Sequence, residues 1–385
     1  MLLLASSRRN LTAALRADGV ERVEHQIDFY RDALASGGTP SLLVYVDDLA
    51  SMAAFGLDPV ASLDSNSIGG AIRSAVAAIA AGGSDVAAIA LIGGDAIIPF
   101  WRVLNPVTIR TIDPDPVVLT DNPYGASDDR FESWLTPELP VGRFCSPDGS
   151  GPEALEELFK DAANNHWDGR NMATDNRIEP RQPFRQGSCA VVNDEWIDPS
   201  IKAGQSLTRP VTWRRAPEFR VVLENRCDLN AKYLYFNLHG FSGEAGWKGY
   251  DPKRDEFITA LSPESFSREH VRGSLLFAEN CYGAEVAGRT PDNSCALRAL
   301  AMGAGAFIGS TGLAFGSFIA PETFLANADE LAGFFFQHAT SGTPAGPALT
   351  RARADYMLSA RRNQLDPFEQ KTALQFVLLG DPAFV

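Results

Sequence analysis

Short runs of residues that are wholly or almost wholly apolar recur along the chain, separated by stretches of helical period. A strand with one wet face alternates apolar and polar residues, so an unbroken apolar run marks a strand buried on both faces. With helices between such strands, the chain is constrained to a mainly parallel sheet built from βαβ units. In the first part the runs are 1–5, 41–46 and 86–92, with helical patterns over 20–35 and 68–81. In the second part they are 189–192, 221–223, 234–238, 275–277 and 306–308, with helices expected over 292–302 and 344–356. A Pro- and Asp-rich loop, Thr111–Pro116, sets a boundary between a smaller α/β subdomain, 1–115, and a larger one, 116–385. A polar segment from Asn164 to Gln186, carrying Arg170, Arg177, Arg181 and Arg185, reads as an exposed loop.

Charge removes two classes of partner. Lys plus Arg is 34 and Asp plus Glu is 48, so the 385 residues carry a net charge of −14. Binding by phosphate neutralisation needs the opposite sign, which argues against nucleic acid and against an anionic membrane surface. No run approaches the roughly 18 apolar residues of a spanning helix, and the first residues lack the basic and apolar regions of a signal peptide. Five cysteines, at 145, 189, 227, 281 and 295, form no C-x-x-C pair, which suits free thiols in a reducing, cytoplasmic setting.

Ligands of parallel sheets sit at the carboxyl ends of the strands, so polar residues that directly follow apolar runs carry most functional information. Two such ends stand out. Tyr233-Leu-Tyr-Phe-Asn-Leu-His239-Gly240 closes on an imidazole, and Ser274-Leu-Leu-Phe-Ala-Glu279-Asn280-Cys281-Tyr282-Gly283 closes on a thiol. If the strands are neighbours, the two groups share one edge, where the imidazole can take the thiol proton. The glycines let backbone approach a substrate, and the amides of Gly240 and Cys281 are the candidates for an oxyanion hole. His25, His166, His270 and His338 lack such a setting. The chain has no G-x-S-x-G elbow, no P-loop and no H-E-x-x-H zinc motif.

These residues resemble the gingipain-type (C25) cysteine peptidases. The resemblance rests on His239-Gly240 followed by Ser-Gly-Glu-Ala-Gly-Trp247, and on Asn280-Cys281-Tyr-Gly. It continues in Ala88–Pro99 with its Gly-Gly-Asp95 turn, in Leu119-Thr-Asp121-Asn-Pro-Tyr124-Gly125, and in Leu139-Pro-Val-Gly142-Arg143-Phe144. Gly303–Thr311 and Leu378-Leu-Gly380-Asp381-Pro382 follow in the family's order, so the likeness spans about residues 85–385.

The resemblance implies a caspase-like α/β/α sandwich with a mainly parallel sheet. It implies a cysteine endopeptidase with His239 as base, Cys281 as nucleophile, a thioester intermediate, and no cofactor or metal in the chemical step. Arg-directed gingipains hold an Asp at the bottom of the S1 pocket, which here implies Asp128 or Asp129 and cleavage after a basic residue. Trp247 resembles the tryptophan beside that pocket. The absence of export signals looks like an intracellular, regulated protease acting on a protein substrate, with a gasdermin-like pore-former as one candidate. The Arg-bearing loop is then a candidate self-processing site, and oligomeric state stays open. The rival expectation is an inactive caspase-like scaffold.

Overall fold

The computed structural model describes residues 1–167, 187–219, 229–317, 325–361 and 365–385. The expected strand at 221–223, and Arg170, Arg177, Arg181 and Arg185, lie outside the described residues. Fourteen strands form among the described residues. The first seven are β1 (Leu2–Ser6), β2 (Ser41–Tyr45), β3 (Ala88–Ile92), β4 (Trp101–Leu104), β5 (Val117–Thr120), β6 (Val141–Phe144) and β7 (Ser188–Asn193). The others are β8 (Val211–Ala216), β9 (Tyr233–Asn237), β10 (Trp247–Asp251), β11 (Glu256–Leu261), β12 (Leu275–Ala278), β13 (Ala306–Ser310) and β14 (Phe376–Gly380).

Ten of them make one sheet, ordered β2-β1-β3-β6-β14-β13-β12-β9-β7-β8. Every pairing is parallel except β13 with β14. The fold is therefore α/β with a mainly parallel central sheet, as expected. The single antiparallel pairing divides the sheet into two halves that run in opposite directions. The carboxyl ends of β9, β12 and β13 consequently lie on the same edge as the amino end of β14. Helix Pro367–Gln375, which leads directly into β14, is delivered to that edge.

The expected division at 115/116 falls before β6, whose four residues pair with 89–92 of β3. Residues on either side of that division thus share one half of the sheet. β6 also brings Arg143 into the core, where its guanidinium stacks over the Phe100 ring, 4.1 Å from the centroid.

Helices begin earlier than apolar periodicity alone indicates, because polar caps set their starts. Ser7 accepts from the Asn10 N–H and opens helix Arg8–Ser36, and Asp64 accepts from the Ser67 N–H and opens Ser65–Ala81. Helix Pro152–His166 packs on Arg8–Ser36, and Asn327–Ala339 packs on Ala345–Arg361. The first of these takes Asn164 and His166 out of the expected loop and into a helix. No described helix is long and apolar enough to cross a membrane.

Candidate active site

β9 and β12 are parallel neighbours, and their last paired residues are Phe236 and Ala278. His239 and Cys281 each lie three residues beyond that pair, so the two chains leave the sheet in step. Two close contacts keep them in step. Asn280 Oδ1 accepts from the Leu238 N–H at 2.9 Å. Gly240 passes so near the nucleophile loop that a Cβ there would stand 1.9 Å from the Cys281 carbonyl oxygen. Only glycine fits.

The imidazole of His239 is held by its backbone and by aromatic rings. The His239 backbone N–H donates to Lys248 O at 2.9 Å and the His239 carbonyl accepts from the Lys248 N–H at 2.8 Å, which ties the residue to the β10–β11 hairpin. The ring sits between Trp196, 4.2 Å away by centroid, and Phe257, 4.8 Å away. Nε2 is buried and has no hydrogen-bond partner among the described residues. This dry setting disfavours the charged form and pushes the imidazole pKa down to about 4.

The thiol faces the loop after β13. Cys281 Sγ lies 3.3 Å from Ala314 O, to which it can donate, and accepts from the Ala314 N–H at 3.3 Å. Burial pushes the thiol pKa up, and the Ala314 N–H, which favours thiolate, partly opposes it. Both catalytic candidates are therefore neutral at rest. Among the described residues, the amides of Gly240 and Cys281 have no backbone acceptor.

His239 and Cys281 line one cavity of about 480 Å³, a volume suited to a side chain of substrate. Its walls are mostly apolar, from Ile112, Trp196, Leu238, Leu313, Phe315 and Phe368. Two carboxyls interrupt them. Glu279 and Asp329 both line the cavity, are nearly fully buried and are hydrogen-bonded to each other. Tyr235 O–H donates to Glu279 Oε1 at 2.5 Å, and Asp329 accepts from Ser317 N–H at 2.6 Å and Asn237 Nδ2 at 3.3 Å. Burial pushes both carboxyls up; the neighbouring Asp329 raises Glu279 further, while hydrogen bonds from Ser317 and with Glu279 partly oppose the rise at Asp329.

The other residues singled out from sequence lie elsewhere. Asp128 pairs with Arg130 at 2.7 Å, and Asp129 with Arg73 at 2.6 Å; neither lines this cavity. The Ser133 hydroxyl, the Arg130 N–H and the Arg130 guanidinium hold Asp128 down at about 2, so both carboxylates are already satisfied on the surface. Trp247 also stays out of the cavity lining. Its indole is buried among Phe236, Phe266 and Phe307, an apolar niche that takes it into the core. His166 pairs with Asp381 at 2.6 Å and His338 with Asp355 at 2.7 Å, away from the cavity.

Trp196, Asp329, Ile112 and Phe368 escape the sequence reading because each reaches the edge from a remote segment. Glu279 had a signal, since it belongs to the polar pair that ends β12.

Residues 157–385 match peptidase family C25. No curated protein matches in sequence. The structure is similar to that of the Arg specific cysteine proteinase gingipain R (RgpB), with a TM-score of 0.62 and 12% identity over 100% of this chain and 77% of that one. It is also similar to the complex of Porphyromonas gingivalis RgpB pro- and mature domains, with a TM-score of 0.64 and 13% identity over 100% of this chain and 79% of that one. A third solved structure, described as a protease, has a TM-score of 0.60 and 15% identity over 99% of this chain and 77% of that one. These likenesses show a shared fold, and the family match spans more than half of the chain: the protein belongs to peptidase family C25 and is a cysteine peptidase.

Proposed function

We propose that the protein is an endopeptidase that uses a His239–Cys281 dyad and cleaves after a basic residue. The observation that carries this reading is the arrival of a thiol and of a buried imidazole nitrogen, without a partner among the described residues, in one cavity at the ends of adjacent parallel strands. On attack the thiol proton, directed at Ala314 O at rest, passes to His239 Nε2 as sulfur bonds to the scissile carbonyl carbon. The oxyanion then faces the Gly240 and Cys281 amides. The imidazolium returns the proton to the leaving amine as the C–N bond breaks, and water, deprotonated by His239, hydrolyses the thioester. Acid–base catalysis of this kind contributes about 10²- to 10⁴-fold, and each oxyanion donor about 3–4 kcal/mol.

The specificity follows from a different pair of acids than Asp128 and Asp129. Apolar walls with Glu279 and Asp329 among them suit a long aliphatic side chain with a cationic head. A P1 Arg or Lys head group takes the place of the proton that the two carboxyls share. Among the described residues Cys145, Cys281 and Cys295 are free thiols, which supports work in a reducing, intracellular compartment.

The test is cleavage of fluorogenic peptides with P1 Arg, Lys, Asp or Leu by the wild type, Cys281→Ala and Asp329→Asn proteins. Arg or Lys cleavage that is abolished by Cys281→Ala and selectively weakened by Asp329→Asn is expected. Turnover that survives Cys281→Ala removes the dyad; a P1 preference indifferent to Asp329→Asn removes the acidic pocket.

A further inference from the structure

Beneath the nucleophile loop lies a buried charged cluster that the dyad does not include. Asp113 and Asp115 come from the loop before β5, and Lys371 comes from helix Pro367–Gln375. Asp113 and the Lys371 side chain are fully buried. Lys371 Nζ donates to Asp113 Oδ2 and, at 3.1 Å, to Asp115 Oδ2. Asp115 then makes two further bonds, one to each of the loops that meet at the thiol. Its Oδ2 accepts from the Leu313 N–H at 2.8 Å, and its Oδ1 accepts from the Tyr282 O–H at 2.8 Å.

Both contacts adjoin the reacting group. Leu313 directly precedes Ala314, whose N–H binds Cys281 Sγ, and Tyr282 directly follows Cys281. Tyr282 holds a φ of 56°, a left-handed conformation that a bulky residue adopts only when its surroundings hold it there. Two bonds do so, its N–H to Gly312 O at 2.8 Å and its phenol to Asp115. The loop also makes room for the carboxylate. A Cβ on Gly312 would stand 2.7 Å from Asp115 Oδ2.

We infer that Asp115 is a positioning residue of the peptidase, a strut that holds Tyr282 and Leu313 so that the Ala314 N–H stays on the Cys281 sulfur. Its charge is balanced by Lys371, which keeps Asp113 as a partner if Asp115 is altered, so the strut can be removed without leaving a bare buried cation.

The inference rests on Cys281 being the nucleophile, and its test separates the two ideas. The titratable and charged groups facing the thiol are His239, Glu279 and Asp329 across the cavity, and Asp115 and Lys371 beneath it. The Ala314 N–H lowers the thiol pKa more than the Asp115 charge raises it. Loss of positioning therefore moves the titration midpoint up, whereas loss of charge alone moves it down.

The rate of iodoacetamide alkylation is measured against pH for wild type, Asp115→Asn and Tyr282→Phe, with Cys281→Ala as the blank, together with kcat on the best peptide. The expected result is a midpoint displaced to higher pH in both variants and a kcat reduced about tenfold in Tyr282→Phe, the effect of one charge-assisted hydrogen bond. A midpoint that is unchanged or lower in both variants, with kcat within about twofold of wild type, overturns the strut. If Asp115→Asn does not fold, the Tyr282→Phe pair of measurements decides alone. Turnover retained by Cys281→Ala would instead sink the dyad itself.

Discussion

The Arg143 guanidinium is buried against the Asp121 carboxylate, with Nη2 to Oδ1 at 2.5 Å and Nε to Oδ2 at 2.9 Å. Its remaining Nη1 donor is spent on the carbonyls of Gly93, at 3.0 Å, and Ile98, at 2.6 Å. Three sequence motifs, the Gly-Gly-Asp95 turn, Thr-Asp121-Asn and Gly142-Arg143-Phe144, are thereby one physical object. Asp121→Ala leaves a buried cation without its counter-charge, and a loss of about 3–5 kcal/mol in urea unfolding is expected. A loss below about 1 kcal/mol would mean that water reaches the guanidinium.

Gly240→Ala is expected to lower kcat/KM about 10²-fold. The new Cβ cannot coexist with the Cys281 carbonyl, so the imidazole and thiol are pushed apart, and displacements of about 1 Å cost rates of this order. Steady-state kinetics with an unchanged melting temperature would locate the effect in the site.

His239 stays neutral until the pH falls towards 4, so the acid limb of kcat/KM is expected well below the ordinary imidazole value of 6.5. Trp196→Ala admits water to the ring and should move that limb up. The same group affects stability. Below 6.5 the unfolded chain takes up a proton that the folded chain refuses until about 4, so stability falls as pH is lowered through this window. His239→Ala should flatten that part of the stability profile, read by urea titration at several pH values.

The Glu279–Asp329 pair predicts a proton released on binding a basic P1 side chain. KM for an Arg peptide should therefore fall as pH rises, while KM for a Leu peptide should not. Asp329→Asn should abolish the difference. Equal KM profiles for the two peptides in the wild type would remove the pair from the pocket.

Much of this was legible because it is local. The apolar runs gave β1, β2, β3, β9, β12 and β13 within a residue or two at each end, and the polar residues closing β9 and β12 pointed to His239 and Cys281 as candidates. What stayed hidden depends on tertiary neighbours. Trp247 looked like a pocket wall, but its apolar area is best buried among phenylalanines. Asp128 and Asp129 looked like a specificity site, but Arg130 and Arg73 occupy them. Asp115 read as part of a boundary loop, because nothing within its own segment shows that Tyr282, 167 positions later, meets it. Lys371 and Phe368 were missed with their helix, whose capping box of Asp366 and Glu369 marks it better than its apolar pattern does.

The antiparallel β14 lies in the middle of the sheet, between β6 and β13, although it follows every other strand in sequence. Among the described residues it alone bridges the two half-sheets: its link to β6 pairs Leu379 with Arg143, and its link to β13 runs along all five residues. Without that strand the sheet would be two pieces, each with an open inner edge, and helix Pro367–Gln375 would have no fixed place beside the thiol. Synthesis from the amino end thus produces Cys281 well before the wall that completes its cleft. The strand that closes the cleft is thus also the keystone that joins the two halves.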